Sequence, residues 1–526
     1  MAALFAGAST EEDVPDVLVQ VLEILEDTHD DLSACGPAVL SLLGRTFTLL
    51  NSAFDHPPPS TRSASLAQAA TLSSSLLHLS DEKLNSFPYK DVPLCWRRLY
   101  TDAILLGALA ELAMLPHTGG AIEEKKRLEE VVRQLDMALI IAGAPGEGRD
   151  ELVFALMQVA QERLRAVASS EERAPSPPPS KKRRLSPPST SAAPLPPPFL
   201  ARPLPSLRFL PDFLTLPSTP VQPFDPLYPH SSPFIVRKAA SAETGWSSVE
   251  RWKNLEYLRD KVGPGRVVPV EVGGDYTQAG WGQKVMPFEE FLDSLPPSPT
   301  LPTPDSAVSP SPDPSTPVYY LAQHSLFRQF PSLLSDLAIP DIVYSAPSSD
   351  GAGGAYEGVK TPDGYIINAW FGPGGTKSAA HTDPWWNCYV QVTGSKWVWV
   401  APPSCSSSMA AFGASSPSPP SPSSTVDNPS TNASETAEQY MSNTSSLDVS
   451  VPPPSSSSSP TSAAHPPVLS TTPRETKGYY PQEWLDKVEP LARQVVLEAG
   501  DVLVMPPGWW HAMQSLETSF SVSIWF

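Results

Sequence analysis

The sequence predicts an α+β protein in which an α-helical domain precedes a domain built mainly of β-strands. Three observations support this class. Apolar residues recur at helical spacing up to about residue 170, apolar and polar residues alternate with period 2 near the C-terminus, and tracts rich in proline and serine separate or interrupt these regions. An antiparallel barrel or a double-sheet jelly roll is the natural closure for the strands, since either protects exposed sheet edges.

The helical domain is predicted over residues 1–170. Its apolar residues repeat at spacings of three and four, as at Val17, Val21 and Leu25. Breaks at segments that contain proline or glycine divide the pattern into about six helices. The histidines of this region are scattered singly, which is typical of solvent-facing or hydrogen-bonded structural histidines rather than of a catalytic group.

Three tracts have the composition of disordered polypeptide. Residues 171–205 form a proline-serine linker, and two insertions, at about 295–316 and 404–473, interrupt the C-terminal domain of residues 206–526. The entropic cost of closing a loop grows only logarithmically with its length, so a folded domain can carry such insertions between its strands. We expect both insertions to lie at the surface.

Composition and charge exclude several functions. The formal net charge of −20 predicts that the surface as a whole does not bind nucleic acid, because phosphate would be repelled. The sequence has no uncharged apolar run of the roughly 18 residues that a membrane helix needs. Its four cysteines lack the close spacing of zinc or thiol-exchange sites. A soluble intracellular protein with reduced thiols is expected.

A basic tetrad lies inside the first linker and consists of Lys181, Lys182, Arg183 and Arg184. A basic cluster in a flexible segment is typical of a nuclear import signal, so the nucleus is the predicted location, with the cytoplasm as the alternative. The competing interpretation is a solvated charge run that keeps the linker soluble.

Strands are predicted where valine, isoleucine and aromatic residues alternate with polar ones in the C-terminal domain. The clearest segments are Tyr389–Val392, Lys396–Val400, Asp501–Met505 and Phe520–Phe526. The domain is therefore mostly β-structure.

A metal site is predicted near the C-terminus. In the triplet His381-Thr382-Asp383 the first and third side chains would share one face of a strand, although such a triplet by itself is common by chance. His511 follows an apolar strand and a Pro-Pro-Gly turn, and could complete a set of two histidines and one carboxylate. Such a facial triad leaves open the coordination positions that non-haem iron(II) needs, whereas zinc is more often held by four protein ligands, or by three and a water.

Lys396 is the candidate partner for an acidic cosubstrate. It follows the Thr393-Gly394-Ser395 turn, so an antiparallel strand would bring it back beside the strand of His381. Taken alone, a lysine in a strand is more often a solvated residue at a sheet edge. Because it occurs together with the predicted metal ligands, we interpret Lys396 as the cation that binds a carboxylate.

Four stretches of the C-terminal domain indicate its family. They are VVPVEVGGDYT, YYLAQHSLFRQFPSL, INAWFGPGGTKSAAHTDPWWNCYVQVTGSKWVWV and GDVLVMPPGWWHAMQSLETSFSVSIWF. From about residue 223 to 526 the sequence resembles the JmjC oxygenases, whose fold is a double-stranded β-helix, the cupin-like jelly roll. The segment PYKDVPLCWRRLY also resembles the helical domain of a close member. The resemblance implies iron(II) as the metal, with 2-oxoglutarate and dioxygen as cosubstrates.

The resemblance also implies roles for individual residues. The iron ligands fall on His381, Asp383 and His511. The 2-oxoglutarate contacts fall on Tyr320, Ser378, Asn387 and Lys396, with Lys396 pairing with the distal carboxylate. The substrate-binding positions fall on Glu271, Gln323, Trp370 and Trp525. Acidic, amide and aromatic groups of this kind suit a guanidinium, although core packing is the alternative for the two tryptophans.

The activity implied is hydroxylation of a protein or peptide side chain, with arginine favoured and chromatin association expected. A histone N-methyl-lysine demethylase is the second interpretation. A catalytically silent JmjC interaction module and a structural zinc or cupin-type binding protein are the alternatives outside oxygenase chemistry.

The sequence departs from the family pattern in three places. Trp385 and Trp386 follow the HTD triplet where smaller polar residues are usual, so a different pocket rim is expected. The tract 404–473 is unusually long, which we expect to alter partner choice without disturbing the barrel. The chain ends at Phe526 without C-terminal helices of the kind that dimerise some members, so a monomer is expected.

Overall fold

The chain forms two compact units. The computed structural model describes residues 14–27, 29–55, 57–88, 91–115, 121–173, 214–216, 232–277, 280–296, 317–344, 356–412, 442–450 and 480–526. The first unit contains residues 1–191 with 259–268 and 285–290, and the second contains 192–258, 269–284 and 291–526.

The predicted low-complexity tracts lie partly outside the described residues. This applies to 174–205 with the basic tetrad, to 297–316, and to 413–441 and 451–473. The described pieces 404–412 and 442–450 differ from the prediction of a surface insertion, because Cys405, Met409 and Val449 are buried in a core cluster of the second unit. Residues 171–173 continue the last helix of the first unit instead of starting the linker.

The first unit is helical over most of its described residues. Six α-helices occur among its described residues before the linker, in agreement with the number expected. They are α1 Val14–Asp27, α2 Pro37–Phe54, α3 Pro59–Leu84, α4 Leu94–Met114, α5 Ala121–Met137 and α6 Arg149–Arg173. A 3-10 helix at His29–Cys35 and a π-helix at Ala138–Ala142 accompany them. Helix α4 is central, since most of its residues from Arg98 onward are buried.

Buried charges in the first unit are paired. The carboxylate of Asp102 lies between two arginines, with Arg98 Nε at 3.1 Å and Arg149 Nε at 2.8 Å. Asp136 lies 2.7 Å from a guanidinium nitrogen of Arg266. All five side chains are less than a tenth exposed, so these ion pairs satisfy charges that would otherwise be costly to bury.

The second unit is built around two sheets, and residues 267–268 and 285–287 of two of their strands fall in the first unit. The described strands are β1 Leu214–Leu216, β2 Phe234–Val236, β3 Val267–Val272, β4 Gly282–Pro287, β5 Tyr319–His324, β6 Ile366–Gly372, β7 Lys377–Thr382, β8 Asn387–Thr393, β9 Ser395–Ala401, β10 Arg493–Glu498, β11 Val502–Met505, β12 Trp510–Ser515 and β13 Ser519–Trp525. The larger sheet has the order β1-β2-β11-β8-β13-β6-β5-β3-β4, and the smaller has the order β10-β9-β12-β7. Strands β8, β9, β11 and β13 confirm the four strands predicted most clearly.

Short helices accompany the strands. They are α7 Ser248–Arg251, α8 Leu255–Val262, α9 Phe288–Ser294, α10 Leu326–Gln329, α11 Pro331–Leu334 and α12 Gln482–Lys487. Within the described ranges, no helix combines the length and the apolar character needed to cross a membrane. All four cysteines are free thiols.

Strand β9 shows why the two sheets pack face to face. Val398 and Val400 lie in a core cluster to which strands of both sheets contribute. Trp397 and Trp399 alternate with them and pack in a second cluster on the other side of the smaller sheet. Because Lys396 shares a face with Val398, its side chain enters the space between the sheets. The predicted α+β class with a jelly-roll domain is confirmed.

One predicted neighbour relation is wrong. The strand of Lys396 does not lie beside the strand of His381, because β12 lies between them. His511 on β12 is opposite His381 on one side and Val400 on the other. The physical reason is that β7, β8 and β9 belong alternately to the smaller, larger and smaller sheet, so β9 does not return next to β7.

Candidate metal centre

The three predicted metal ligands meet in the second unit. One ligand atom from each of His381, Asp383 and His511 lies within 4.8 Å of the other two. The Nε2 atom of His381 is 3.8 Å from Asp383 Oδ1, and the Nε2 atom of His511 is 3.5 Å from Asp383 Oδ2. Among the residues that the structure describes, this is the one such group of three or more His, Cys, Asp or Glu side chains.

Strand register and a turn bring these ligands together. His381 and His511 are direct partners across β7 and β12, so both rings project from the same face, with centroids 4.2 Å apart. Asp383 follows the end of β7, and its carbonyl accepts a hydrogen bond of 2.9 Å from the N–H of Gly508. Gly508 has a φ of 76°, which glycine adopts without strain. The Pro-Pro-Gly turn therefore ties the start of β12 to the carboxylate ligand.

The backbone orients both imidazoles. Nδ1 of His381 is 2.8 Å from the carbonyl oxygen of Ala379, and Nδ1 of His511 is 3.0 Å from that of Trp509. A carbonyl can only accept, so each Nδ1 carries the proton and donates. Each Nε2 lone pair is thereby directed toward Asp383 and available to a metal ion.

The protonation states also favour a cation. Burial, aided by the neighbouring His511, lowers the pKa of His381 to about 4. Burial opposes ionisation of Asp383, but the adjacent His511 outweighs this effect and lowers the pKa of the carboxyl to about 2. Burial also opposes a charge on His511, while Asp383 raises the pKa of that imidazole above its ordinary value. The group thus presents a carboxylate and, at His381, an imidazole that is neutral at neutral pH, which suits the binding of a cation.

Lys396 is a buried cation beside two phenols. Its side chain is 1% exposed, and its Nζ atom lies 3.2 Å from the Tyr320 hydroxyl and 2.9 Å from that of Tyr389. Within the described part of the chain, no carboxylate forms an ion pair with Lys396. Burial lowers the pKa of the ammonium group to about 7. A carboxylate ligand would restore the charge and offset the cost of burying it.

The other predicted 2-oxoglutarate contacts lie next to these groups. Ser378 of β7 acts on the Tyr320 hydroxyl and opposes the rise that burial causes in the pKa of that phenol. Asn387 donates from Nδ2 to Asp383 Oδ2 at 3.2 Å, while its Oδ1 is buried without a hydrogen-bond partner. The structure therefore brings together Tyr320, Ser378, Asn387 and Lys396 with the metal ligands.

Three of the four predicted substrate-binding residues adjoin this group. Glu271 is the direct partner of Tyr320 across β3 and β5, so the two side chains share a face. The ring of Trp370 is 6.3 Å from that of Tyr320, between centroids, and 6.0 Å from Lys396 Nζ. Trp525 lies 5.5 Å from Trp385, which follows the HTD triplet.

Gln323 is placed differently. It is exposed, has a φ of 48°, and lies where the pairing of β5 with β6 shifts register between Leu321 and His324. A strand irregularity turns its side chain in a direction that the simple alternation of a strand does not predict.

Sequence reasoning missed three polar residues of this region: Tyr276, Asn368 and Tyr389. Tyr389 is two residues after Asn387 on β8, and Asn368 is two residues before Trp370 on β6, so strand alternation from the predicted residues would have found both. The Nδ2 atom of Asn368 is buried without a hydrogen-bond partner. Tyr276 follows β3 in a loop, where periodicity gives no signal.

The residues present fit iron(II) and a dicarboxylate cosubstrate. Two imidazoles and one carboxylate are the donor set that leaves coordination positions open on iron(II). The buried ammonium of Lys396, the unpartnered Oδ1 of Asn387 and the unpartnered Nδ2 of Asn368 are polar groups that a bound ligand would satisfy.

Comparisons with known proteins agree with this geometry. Residues 220–526 match the family model described as a cupin-like domain. The chain is 28% identical over 455 residues to lysine-specific demethylase 8 of Danio rerio, in a match that covers 86% of each chain. It is 29% identical over 281 residues to lysine-specific demethylase 8 of Xenopus tropicalis, covering 53% of this chain and 45% of that protein. It is 30% identical over 281 residues to Jumonji C domain-containing protein 5 of Drosophila melanogaster, covering 53% and 52%.

The last two matches thus span about half of each of those relatives, whereas the zebrafish match also extends into the helical unit. A jelly roll with a His-Asp-His triad between its sheets is the arrangement expected of an iron-dependent oxygenase, and the cupin-like match covers more than half of the chain. The chain belongs to the cupin-like family of JmjC oxygenases, enzymes that depend on iron(II) and 2-oxoglutarate.

Proposed function

We propose that this protein hydroxylates an arginine side chain of a protein substrate. The observation that carries the proposal is Glu271, a half-buried carboxylate on the same face as Tyr320 with no ion pair to a cation among the described residues. Burial raises the pKa of Glu271, while a hydrogen bond from the Trp281 indole opposes that rise. A guanidinium from a substrate would supply the missing positive charge beside the cosubstrate pocket.

The neighbouring aromatic groups favour arginine over methylated lysine. Trp370 donates its indole N–H to Ser523 Oγ at 2.9 Å, which holds the orientation of the ring. A guanidinium can stack on such a face while several of its N–H groups donate to Glu271, whereas each methyl group on a lysine ammonium removes one N–H and trimethyl-lysine has none. A carboxylate next to a fixed aromatic face therefore suits arginine better.

The chain's own residues would bind and orient the reactants. His381, Asp383 and His511 would hold iron(II), while Lys396, Tyr320, Ser378 and Asn387 would hold 2-oxoglutarate. Bound iron and cosubstrate supply the oxidising power that adds one oxygen atom of dioxygen to a nearby substrate C–H bond, with succinate and carbon dioxide as coproducts. Lys396 keeps its proton against the cosubstrate carboxylate, and the two imidazoles keep their Nδ1 protons on backbone carbonyls. The contribution of the protein is positioning.

Mass spectrometry of peptides tests the proposal. Purified protein with iron(II), ascorbate and 2-oxoglutarate would be incubated with matched peptides that carry arginine, lysine or methylated lysine at one position. We expect arginine peptides to gain about 16 Da, the mass of one oxygen. Loss of about 14 Da from methyl-lysine peptides, with arginine peptides unchanged, would replace the proposal by demethylation.

The variant Glu271→Gln tests the observation behind the proposal, because it removes the charge and retains the shape. We expect the KM for arginine peptides to rise by about tenfold or more while the KM for 2-oxoglutarate stays the same. His381→Ala provides the inactive blank. Equal peptide KM values for Glu271→Gln and the unmodified protein would contradict the role of Glu271.

A histone lysine demethylase is the second candidate, because relatives from zebrafish and Xenopus carry the name lysine-specific demethylase 8. The peptide comparison separates it from the hydroxylase. A zinc-binding or silent interaction module is tested by metal analysis of protein purified without oxygen, followed by a succinate assay. Bound zinc, or bound iron without succinate release, would remove both enzyme proposals.

We further propose that the protein acts in the nucleus, near chromatin. The support is the tetrad Lys181, Lys182, Arg183 and Arg184, together with the demethylase names of its relatives. A fluorescent fusion is expected in the nucleus, and a variant with the tetrad replaced by alanines is expected in the cytoplasm. Identical distributions would contradict the signal.

A further inference from the structure

Residues 442–450, which we call the covering segment, lie along the outer edge of the strand that carries His381. Thr444 of this segment is the partner of His381 in an antiparallel bridge. Strand β7 is the last strand in the order of the smaller sheet. An edge strand otherwise leaves its outer backbone groups to water or to another chain. The covering segment therefore supplies hydrogen-bond partners on the outer side of the metal-binding strand.

Three hydrogen bonds join the covering segment to the two residues beside His381. The N–H of Ser445 donates to the carbonyl of Ala380 at 2.7 Å. The N–H of Thr382 donates to the carbonyl of Asn443 at 3.0 Å. The side chain of Asn443 in turn donates from Nδ2 to the carbonyl of Thr382 at 2.9 Å. Asn443 therefore satisfies both backbone groups of the middle residue in the metal-binding triplet.

The two peptide groups that Asn443 contacts are those that link the ligands of the triplet. The N–H of Thr382 belongs to the peptide group that joins it to His381, and its carbonyl belongs to the peptide group that joins it to Asp383. Each peptide group is planar, so fixing its N–H or its carbonyl fixes the start of the neighbouring residue. Strand β7 ends at Thr382, so Asn443 holds the chain at the point where it leaves the strand toward Asp383.

The covering segment is itself held in place by other contacts. The N–H of Ser446 donates to the carbonyl of Ala410 at 3.0 Å, on the side away from β7. Nζ of Lys377 lies 3.1 Å from a carboxylate oxygen of Asp448, and both side chains are partly buried. Because Lys377 is the first residue of β7, the covering segment is fixed at both ends of the strand. A segment fixed in one register can orient the residues that it contacts.

We infer that Asn443 is a positioning residue of the metal centre, which sets the orientation of His381 relative to Asp383 through the two peptide groups of Thr382. Asn443 acts through the backbone and not as a metal ligand. An asparagine suits this role because its short side chain carries an amide donor, while its own backbone carbonyl accepts. The inference rests on the metal centre and does not depend on which side chain the enzyme oxidises.

Two variants test the side chain of Asn443. Asn443→Ala removes the amide, and Asn443→Leu replaces it with an apolar group of similar size. Asn85→Ala is the matched control in the helical unit, because Asn85 is also exposed and also donates from Nδ2 to a backbone carbonyl at 2.9 Å. Ser446→Ala is a control within the covering segment, since its hydroxyl donates to the carbonyl of Ala410 and not to β7.

We expect both Asn443 variants to weaken Mn(II) binding to the full-length protein by about tenfold, the lower end of the effect of groups that orient metal ligands. The visible spectrum of bound Co(II) should also change, because its bands depend on the arrangement of the ligands. Asn85→Ala and Ser446→Ala should keep the affinity and the spectrum of the unmodified protein. A purely structural role would lower the urea midpoint of Asn443→Ala and Asn85→Ala alike and leave metal binding unchanged.

Equal Mn(II) affinities in Asn443→Ala and Asn85→Ala would overturn the inference. So would a Co(II) spectrum that Asn443→Ala leaves unchanged, or failure of the unmodified protein to bind either metal. The amide of Thr382 should exchange at least about 100-fold more slowly than a free peptide amide, and fast exchange would contradict the bond to Asn443.

These measurements are independent of the peptide assay. If arginine peptides gain no oxygen while both Asn443 variants bind Mn(II) more weakly, the proposed function fails and this inference stands. If arginine peptides gain oxygen while the variants bind Mn(II) normally, the inference fails and the proposed function stands.

Discussion

The helical unit and the candidate site of the β unit bury charged side chains in opposite ways, although elsewhere in the β unit the buried Asp336 and Asp501 are paired with arginines. In the helical unit, Asp102 lies between Arg98 and Arg149, so each charge has a partner. In the β unit, Lys396 and Glu271 have no ion pair among the described residues. An unpaired buried charge costs several kcal/mol, and the cost is tolerated where a ligand supplies the partner. Paired burial therefore indicates structure, and unpaired burial indicates a binding site.

The largest effect is expected from removing a metal ligand. If that effect did not occur, the contrast between the helical unit and the candidate site would not hold. His381→Ala should lower Mn(II) affinity by more than about 100-fold, beyond the usual effect of changing a group around the ligands, and should abolish succinate release. The cooperative unfolding of the protein should remain. Calorimetric titration measures the affinity, with His78→Ala as the control because His78 is largely exposed. Equal affinities in the two variants would contradict the metal site.

Next in size is loss of a paired charge in the helical unit. Asp102→Asn leaves two buried guanidinium groups without a carboxylate and should lower the free energy of unfolding by about 3–5 kcal/mol. Arg133→Ala, which removes the partner of Glu130 in a partly exposed pair, should cost less than about 1 kcal/mol. Urea unfolding measures both. Similar costs would show that the two buried arginines do not depend on Asp102 for a partner.

Lys396→Met tests the corresponding charge in the β unit. The affinity for 2-oxoglutarate should fall by about 100-fold, because the cosubstrate carboxylate loses its buried cation. The affinity for Mn(II) should be unchanged, since Lys396 is not a metal ligand. Binding is measured with Mn(II) present, and Lys360→Met, a change at an exposed lysine, is the control. If both variants bind 2-oxoglutarate equally, Lys396 does not hold the cosubstrate.

The smallest predicted effect is a pH dependence of the 2-oxoglutarate affinity, which also tests the role of the buried charge of Lys396. Burial lowers the pKa of Lys396 to about 7. At pH values between this lowered pKa and the ordinary pKa of lysine, the unfolded chain binds more protons at this group than the folded chain does. The free energy of unfolding of the ligand-free protein therefore rises with pH in that window because of Lys396. A bound carboxylate needs the charged lysine, so the 2-oxoglutarate affinity should fall by up to about tenfold between pH 7 and 8. Lys396→Met should lose this dependence, and a flat profile in the unmodified protein would contradict it.

Much of the site could be predicted from the sequence because its signals are local. The HTD triplet places two ligands on one short segment, and the apolar strand with its Pro-Pro-Gly turn places His511 at the start of another. Alternation along β8 and β9 is likewise a property of neighbouring residues, which is why these strands were found where they occur. The resemblance to a known family then related these separate segments to one another.

Residue type and short-range spacing predicted the three candidate metal ligands, Lys396 and the clearest strands, while the family resemblance supplied Tyr320, Ser378 and Asn387. Only the tertiary structure decided that β12 separates β9 from β7 and that residues 442–450 lie against the strand of His381. These contacts join segments far apart along the chain. They depend on how the two sheets pair and pack, which the spacing of residues within any one segment does not predict.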